Sequence, residues 1–309
     1  MIITIRSINM NKLKKLGLTA LAGSLVATSV SAGDLSVTGG ASLDYTSTSE
    51  TTGNGWSMGD SVNFNGSGDV NGMEVSLQIE LDGGNYDDYS VKIDSGDSGA
   101  VTFSGASKGV GGLNNYADIV PTAYEEVYDV TDGRDHGVVG NISSTSSFAY
   151  NGTFGGLTVS AFYNPASVSS SSIVLQYADL IDGLTIGAGS GEVTTTQDEE
   201  SMWVKYVTGG ITVGWQRSEV DFSAAATSDT EADHYGISFA VNEDLTVSAG
   251  RQEVDFEGSG LEDEESSGIS ASYTMGGLTV AGHANSTDSQ DGVSGEDETS
   301  KSINFAFAF

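Results

Sequence analysis

The chain of 309 residues has no cysteine, only 2 prolines, and 11 basic residues against 43 acidic ones. Without cysteine there are no disulfides, no thiolate nucleophile and no cysteine-type zinc site. No run of 18 apolar residues occurs beyond the N-terminus, which excludes a bundle of membrane-spanning helices. The apolar fraction of 38% is low for a soluble domain of this length. Two classes remain, an extended all-β protein or a largely disordered acidic chain.

The few bases are unevenly placed. Lys12, Lys14 and Lys15 form a basic start, Leu16 to Val30 is a short apolar run, and Val30-Ser31-Ala32 supplies small residues for a signal peptidase. This predicts a signal peptide over 1–32 and a mature chain from Gly33. Met10 opens a better-proportioned signal peptide than Met1. Fifteen apolar residues are too few for a spanning helix. All 43 acids follow Ala32, with 7 bases (Lys92, Lys108, Arg134, Lys205, Arg217, Arg251, Lys301), for a mature charge of −36. Nucleic acid is excluded as a partner, because its phosphates would be repelled. Such a surface attracts cations instead.

What the chain has in quantity is glycine, 42 residues, placed periodically. A tight turn followed by an apolar–polar–apolar triplet recurs: Gly155-Gly156-Leu157-Thr158-Val159, Asp182-Gly183-Leu184-Thr185-Ile186, Gly209-Gly210-Ile211-Thr212-Val213, Glu243-Asp244-Leu245-Thr246-Val247 and Gly276-Gly277-Leu278-Thr279-Val280. Looser copies lie at Asn71-Gly72-Met73 and Ser98-Gly99-Ala100. A repeat built on short-turn dipeptides is a β-hairpin unit. Flanking segments alternate: Met73, Val75, Leu77, Ile79 and Leu81 oppose Glu74, Ser76, Gln78 and Glu80. One apolar and one polar face suits a membrane barrel strand. A soluble sandwich strand alternates in the same way.

The count of connections separates them. Short turns near 71, 98, 155, 182, 209, 243 and 276 alternate with longer polar segments near 46–55, 82–88, 108–141, 164–172, 190–200, 218–232, 253–267 and 285–299. Eight long loops between seven short turns require sixteen strands with both termini at one rim. The expectation is therefore an all-β transmembrane antiparallel barrel, residues 33–309, with an aqueous lumen. A β-solenoid or surface adhesin would stack one short repeat without this alternation. The phase predicts that Leu35, Val37, Leu77, Ile79, Val159, Val213, Val247, Val280, Phe305 and Phe307 face lipid. On the lumen phase stand Asp44, Glu74, Glu80, Lys92, Asp94 and Lys205.

With these features the chain resembles the Gram-negative general porins, in particular the sixteen-stranded trimeric type of α-proteobacteria. The resemblance runs from Gly33-Asp34-Leu35 to the terminal strand Ile303-Asn304-Phe305-Ala306-Phe307-Ala308-Phe309. It implies an outer-membrane location, short periplasmic turns, long external loops and a third loop folded into the lumen. It further implies a homotrimer among outer-membrane lipid and lipopolysaccharide, and an assembly signal at Phe309 read by the barrel-assembly machinery. The third loop would narrow the pore with Asp118, Glu125, Glu126, Asp129, Asp132 and Asp135, beside Arg134. One departure stands out: the cluster of wall arginines that family places opposite this loop is missing.

The function expected is passive passage of small hydrophilic solutes and ions, with cations preferred; the alternative is a substrate-selective channel. Rings of Asp or Glu are how cation channels obtain preference. Runs such as Glu262-Asp263-Glu264-Glu265 and Glu296-Asp297-Glu298 read first as solvated surface, the alternative being Ca2+ or Mg2+ held by several carboxylates. No EF-hand pattern occurs, and no cofactor is expected. His136, His234 and His283 are the only histidines, and neither Gly-x-Ser-x-Gly nor His-Glu-x-x-His occurs, so no enzyme is expected.

Overall fold

A computed structural model describes residues 33–49, 54–105, 111–130, 146–178, 180–224, 228–258 and 260–309. The signal-peptide expectation lies outside these residues. Sixteen antiparallel strands follow in chain order: β1 (Leu35–Thr48), β2 (Trp56–Val70), β3 (Met73–Asp82), β4 (Asn85–Asp94), β5 (Ala100–Ser104), β6 (Ser147–Phe154), β7 (Leu157–Asn164) and β8 (Ser170–Ala178). The second half comprises β9 (Leu184–Val193), β10 (Gln197–Thr208), β11 (Ile211–Phe222), β12 (Thr230–Ala240), β13 (Leu245–Phe256), β14 (Glu264–Met275), β15 (Leu278–Asp288) and β16 (Glu298–Ala308). Each strand pairs with its sequence neighbours, and β16 returns to β1, so the barrel is closed and has no free edge.

The repeated turn dipeptides do what their chemistry allows. Asn71-Gly72 has φ of 55° and 83°, and Gly155-Gly156 has 59° and 90°, the left-handed pair of a two-residue hairpin turn. These turns lie at one rim with the start of β1 and the end of β16. At the other rim the expected long loops are mostly shorter, because strands run on through polar sequence. The second loop, expected over 82–88, is only Gly83-Gly84, and the fifth, expected over 190–200, is the turn 194–196. Alternation that continues beyond the apolar band keeps both faces solvated, so the hairpin extends while its composition reads as loop.

All ten residues expected to face lipid stand on the outer phase. The opposite phase meets the lumen: Ser160, Ser172, Gln216, Ser248, Ser270 and Asn285 all touch the third loop. Leu35 and Val37 are half exposed, as are Leu77, Val213 and Phe307. Apolar groups are left outside because the solvent there is lipid. The inner cluster is small: Leu113, Phe162, Val174, Trp203 and Val220. Its centre, Leu113, belongs to the third loop.

Candidate functional site: the third loop and the facing wall

The third loop leaves β5 and returns at β6, and its described part is 111–130. It runs inside the barrel along the wall. Gly112 donates its N–H to Ser160 Oγ at 2.9 Å, and Leu113 donates to Ser172 Oγ at 2.9 Å. Gly112 has φ +67, and a Cβ there would lie 2.1 Å from Ser172 Oγ, so glycine is required at this approach. Leu113 then fills the inner apolar cluster, and Tyr116 stacks on Trp203 with centroids 5.0 Å apart. Gln216 accepts the Ile119 N–H at 2.9 Å and donates to the Tyr116 carbonyl at 2.8 Å. One buried amide thus brackets the loop backbone from both sides.

Beyond Gln216 the loop crosses a row of glycines. Gly214 pairs with Gly236, Gly236 with Gly250, and Gly250 with Gly268, one residue from each of β11 to β14. The row starts beside Lys205 and ends beside Asn285. A Cβ would meet Pro121 Cδ at 2.5 Å from Gly214, Val120 Cγ1 at 2.2 Å from Gly236 and Val127 Cγ1 at 3.0 Å from Gly250. The absent side chains are the bed in which Val120 and Pro121 lie. At the far end Ala123 donates to Ser248 Oγ at 2.9 Å and Tyr124 to Ser270 Oγ at 3.1 Å. Asn285 donates to the carbonyls of Glu126 at 2.7 Å and Asp129 at 3.3 Å. The Tyr124 ring stacks on His283, centroids 5.9 Å apart, and the His283 nitrogens lie 3.0 Å from Ser300 and from Ser302.

The loop acids therefore lie close together in a partly desolvated strip. Burial raises the Glu125 carboxyl to about 7, and the neighbouring carboxylates of Asp129 and Glu126 add to the effect. Burial raises Asp118 too, opposed by hydrogen bonds from Glu126 and the Val120 backbone and by the charge of Lys205. Burial also raises the Tyr124 hydroxyl, with the charges of Glu125 and Asp44 adding to it. Asp132, Arg134 and Asp135 lie outside the described residues.

The described part of the loop lies against β6 to β15 and reaches β16 where Tyr124 meets Ser302, which leaves β1 to β4 as the facing wall. Asp44 accepts from Ser42 Oγ at 2.6 Å and from the Asn304 amide. Asn63 donates to Glu80 at 3.1 Å and accepts from Gln78 at 3.0 Å. This ladder of amides and carboxylates stands on a wall for which the family resemblance implies arginines. Glu74, Lys92 and Asp94 lie lower, towards the short-turn rim, where Glu74 pairs across to Asp94 and Lys92 forms a 2.9 Å ion pair with Asp94. Lys205 is on the loop side, near Asp118. A register shift after Ile79 sets Asp87 and Asp88 beside Glu80, and the three carboxylates come within 4.8 Å of one another. The amides, the glycine row and the two aspartates escape sequence reading, since each acquires meaning only through cross-strand pairing.

A family model described as Gram-negative porin matches residues 17–309. The chain belongs to the Gram-negative porin family. It is an outer-membrane β-barrel of a family of channel proteins. Solved structures agree on the fold. A loop L8 deletion mutant of OmpT, an outer membrane protein of Vibrio cholerae, superposes with a TM-score of 0.70 at 13% identity, covering 90% of this chain and 99% of that one. OmpT in its trimer form gives 0.69 at 10% identity, with 90% and 99% covered. An anion-selective porin from Comamonas acidovorans gives 0.67 at 13% identity, with 90% and 100% covered. No curated protein matches the chain by sequence. In this porin the described part of the third loop, 111–130, lies against lumen-phase residues of the barrel wall.

Proposed function

We propose that this porin is a general diffusion channel for small hydrophilic solutes and that it prefers cations. The observation that carries the reading is the wall facing the third loop. Asp44 and Glu80 stand there among Asn63, Gln78 and Asn304, and the nearest wall base, Lys92, is held by Asp94. A confined path edged by fixed carboxylates on both sides raises the local cation concentration. Tyr116 and Trp203 stack on each other beneath the loop instead of forming an aromatic track along the path. The constriction is assigned to Asp118, Glu125, Glu126 and Asp129 on the loop, with Asp44 and Glu80 opposite.

The resemblance carries the rest of the proposal: cleavage after Ala32, a homotrimer in contact with lipopolysaccharide, and recognition of Phe309 by the barrel-assembly machinery. Cations are held diffusely by the acids, with no resident cofactor. The test is the reversal potential of single channels across a potassium chloride gradient. Cation preference is expected, reduced in the pair Asp44→Asn with Glu80→Gln. Anion preference in the unaltered channel would overturn the reading.

A further inference from the structure

The outer face of the barrel is uneven in a way the strand register makes countable. On β1 the outward positions from Leu35 to Tyr45 are uncharged. Ten residues at about 3.3 Å each, tilted by about 40°, rise about 25 Å, the full height of an apolar band. β3 is likewise uncharged outward from Met73 to Leu81, and β7 from Leu157 to Tyr163. On β11, by contrast, only Ile211, Val213 and Trp215 precede Arg217, an apolar height of about 10 Å by the same measure. The outward direction of Arg217 is certain from its neighbour, Gln216, which holds the third loop inside.

The same step occurs on both following strands. Phe239, Ile237 and Tyr235 of β12 give way to Asp233, and Leu245, Val247 and Ala249 of β13 give way to Arg251. The charges form one connected face. Arg217 bonds Asp233 and lies 3.3 Å from Glu231, while Arg251 lies 2.5 Å from Glu253 and 3.1 Å from Glu265. Trp215 pairs across to Tyr235 and donates its indole N–H to Asp233 at 2.8 Å. Side by side at the step, the two rings have the amphipathic character of an interfacial girdle. Beside this face, across β8 to β11, an open groove of about 590 Å³ is lined by Glu192, Asp198, Glu200, Glu219 and Asp221 with Ser190.

We propose that the upper outer face of β11 to β13 is a contact surface for the polar headgroup layer of the outer leaflet, which descends there to the level of Trp215 and Tyr235. Two rival occupants fit worse. Hydrocarbon against Arg217, Arg251 and their acids would face charges at mid-depth, where they are most destabilising. A second copy presenting the same face would set one acidic surplus against another. Headgroups bring amines and the counter-cations of phosphates, which complement Glu219, Glu231 and Asp255. Those three lie in adjacent cross-strand positions; Glu231, in the middle, meets Arg217 at 3.3 Å, and Glu219 and Asp255 flank it. Like charges opposite one another destabilise a sheet unless something outside neutralises them. The barrel thus meets a membrane thinner at β11 to β13 than at β1, β3 and β7.

The test uses the whole barrel refolded into vesicles of phosphatidylethanolamine and phosphatidylglycerol. Because the chain has no cysteine, one introduced cysteine carries a unique nitroxide label. Labels at Arg217→Cys and Arg251→Cys are compared with Phe148→Cys and Tyr163→Cys, which stand equally far above their own turns on β6 and β7. Glu219→Cys, one row higher and breaking no ion pair with an arginine, serves where loss of an arginine prevents folding. Collision with a water-soluble nickel chelate should exceed collision with dissolved oxygen several-fold at 217, 219 and 251, and the ratio should reverse at 148 and 163. Oxygen dominance at 217, 219 and 251 would overturn the proposal in favour of hydrocarbon. Protection from both reagents would overturn it in favour of a protein partner. Nickel dominance at all five would show the two sides to be alike and overturn it as well.

Discussion

Gly236 and Val120 occupy one space: the Cβ that Gly236 lacks would fall 2.2 Å from Val120 Cγ1. The contact joins a strand position to a loop position more than a hundred residues earlier, and it decides how close the third loop lies to the wall. Gly236→Ala should therefore act on the channel more than on the sheet. Within a strand the substitution removes backbone entropy and by itself favours the sheet by about 0.5–1 kcal/mol. The loop must shift towards the lumen to accept the methyl group. Single-channel conductance should fall while the amount of assembled barrel is unchanged. A conductance equal to that of the unaltered channel would show that the loop is not seated on the glycine row.

Gln216 is fully buried and holds Tyr116 and Ile119 together through one amide. Gln216→Leu keeps the volume but leaves a loop carbonyl and a loop N–H without partners. Each such loss costs about 1–3 kcal/mol when the site stays dry. The expected outcome is a loop released from the wall, seen as noisier conductance and as proteolytic cleavage within 105–130 of the folded barrel. A quiet, resistant channel would mean that Tyr116 and Leu113 anchor the loop unaided.

Much of the architecture is legible in the chain. Turn dipeptides at near-regular intervals and the period of two around Leu77 or Phe305 are local signals, and they yield strand number, closure and which face meets lipid. Loop lengths are less legible, because Glu192 and Asp198 alternate as strand residues while reading as loop. The site is least legible. Gly214, Gly236, Gly250 and Gly268 are separated by 14 to 22 positions along the chain and become a row only when the register is known. The amides Asn63 and Gln78 carry no motif either. The acids are legible by type and spacing, but only folding reveals that Glu125 is partly buried beside Asp129 and Glu126.

That crowding gives a pH dependence with a definite sign. Glu125 has its carboxyl raised to about 7 against an ordinary value of 4.5, through burial first and its acidic neighbours next. A raised carboxyl favours the folded loop below about 4.5, where the group is protonated in either state. That advantage is lost as pH rises through about 7. The same ionisation adds a negative charge to the constriction. Cation preference, read as reversal potential, should rise between pH 5.5 and 8.5, and the loop should become more open to protease over the same interval. Glu125→Gln should flatten both curves. A preference that stays constant in the unaltered channel would place Glu125 outside the ion path.

Phe309 closes the ring of strands. Its N–H and carbonyl exchange hydrogen bonds with Gly39 at 3.0 and 2.8 Å, although its side chain is 80% exposed on the outer surface. Deleting Phe309 removes two bonds of the β1–β16 seam and the aromatic end of the terminal strand. The yield of assembled barrel in the outer membrane should drop, while channels that do form conduct as before. Undiminished yield would separate this chain from the assembly behaviour that its terminal strand implies.

The two faces of one strand offer the sharpest comparison. Val37 points out and is 57% exposed; Thr38 points in, opposite Asn63 on β2. An arginine at position 37 would sit in hydrocarbon low on the barrel, with neighbours Phe64 and Leu35 unable to bond it. Near mid-depth such a substitution costs about 2–4 kcal/mol, falling towards zero at the rims. At position 38 the same arginine would enter water beside Asn63 and the Glu80 carboxylate, two groups able to accept its hydrogens. Val37→Arg, two residues above the start of β1, should therefore lower the unfolding free energy of the refolded barrel in a urea titration by an amount between those limits, about 1–2 kcal/mol. Thr38→Arg should leave stability nearly unchanged and instead reduce cation preference, because its charge offsets that of the Glu80 carboxylate on the wall that faces the loop. Equal destabilisation by the two would mean that the strand's faces are not divided between lipid and water. Destabilisation at position 38 alone would reverse the assignment of inside and outside for β1, and with it the placement of Asp44 in the pore.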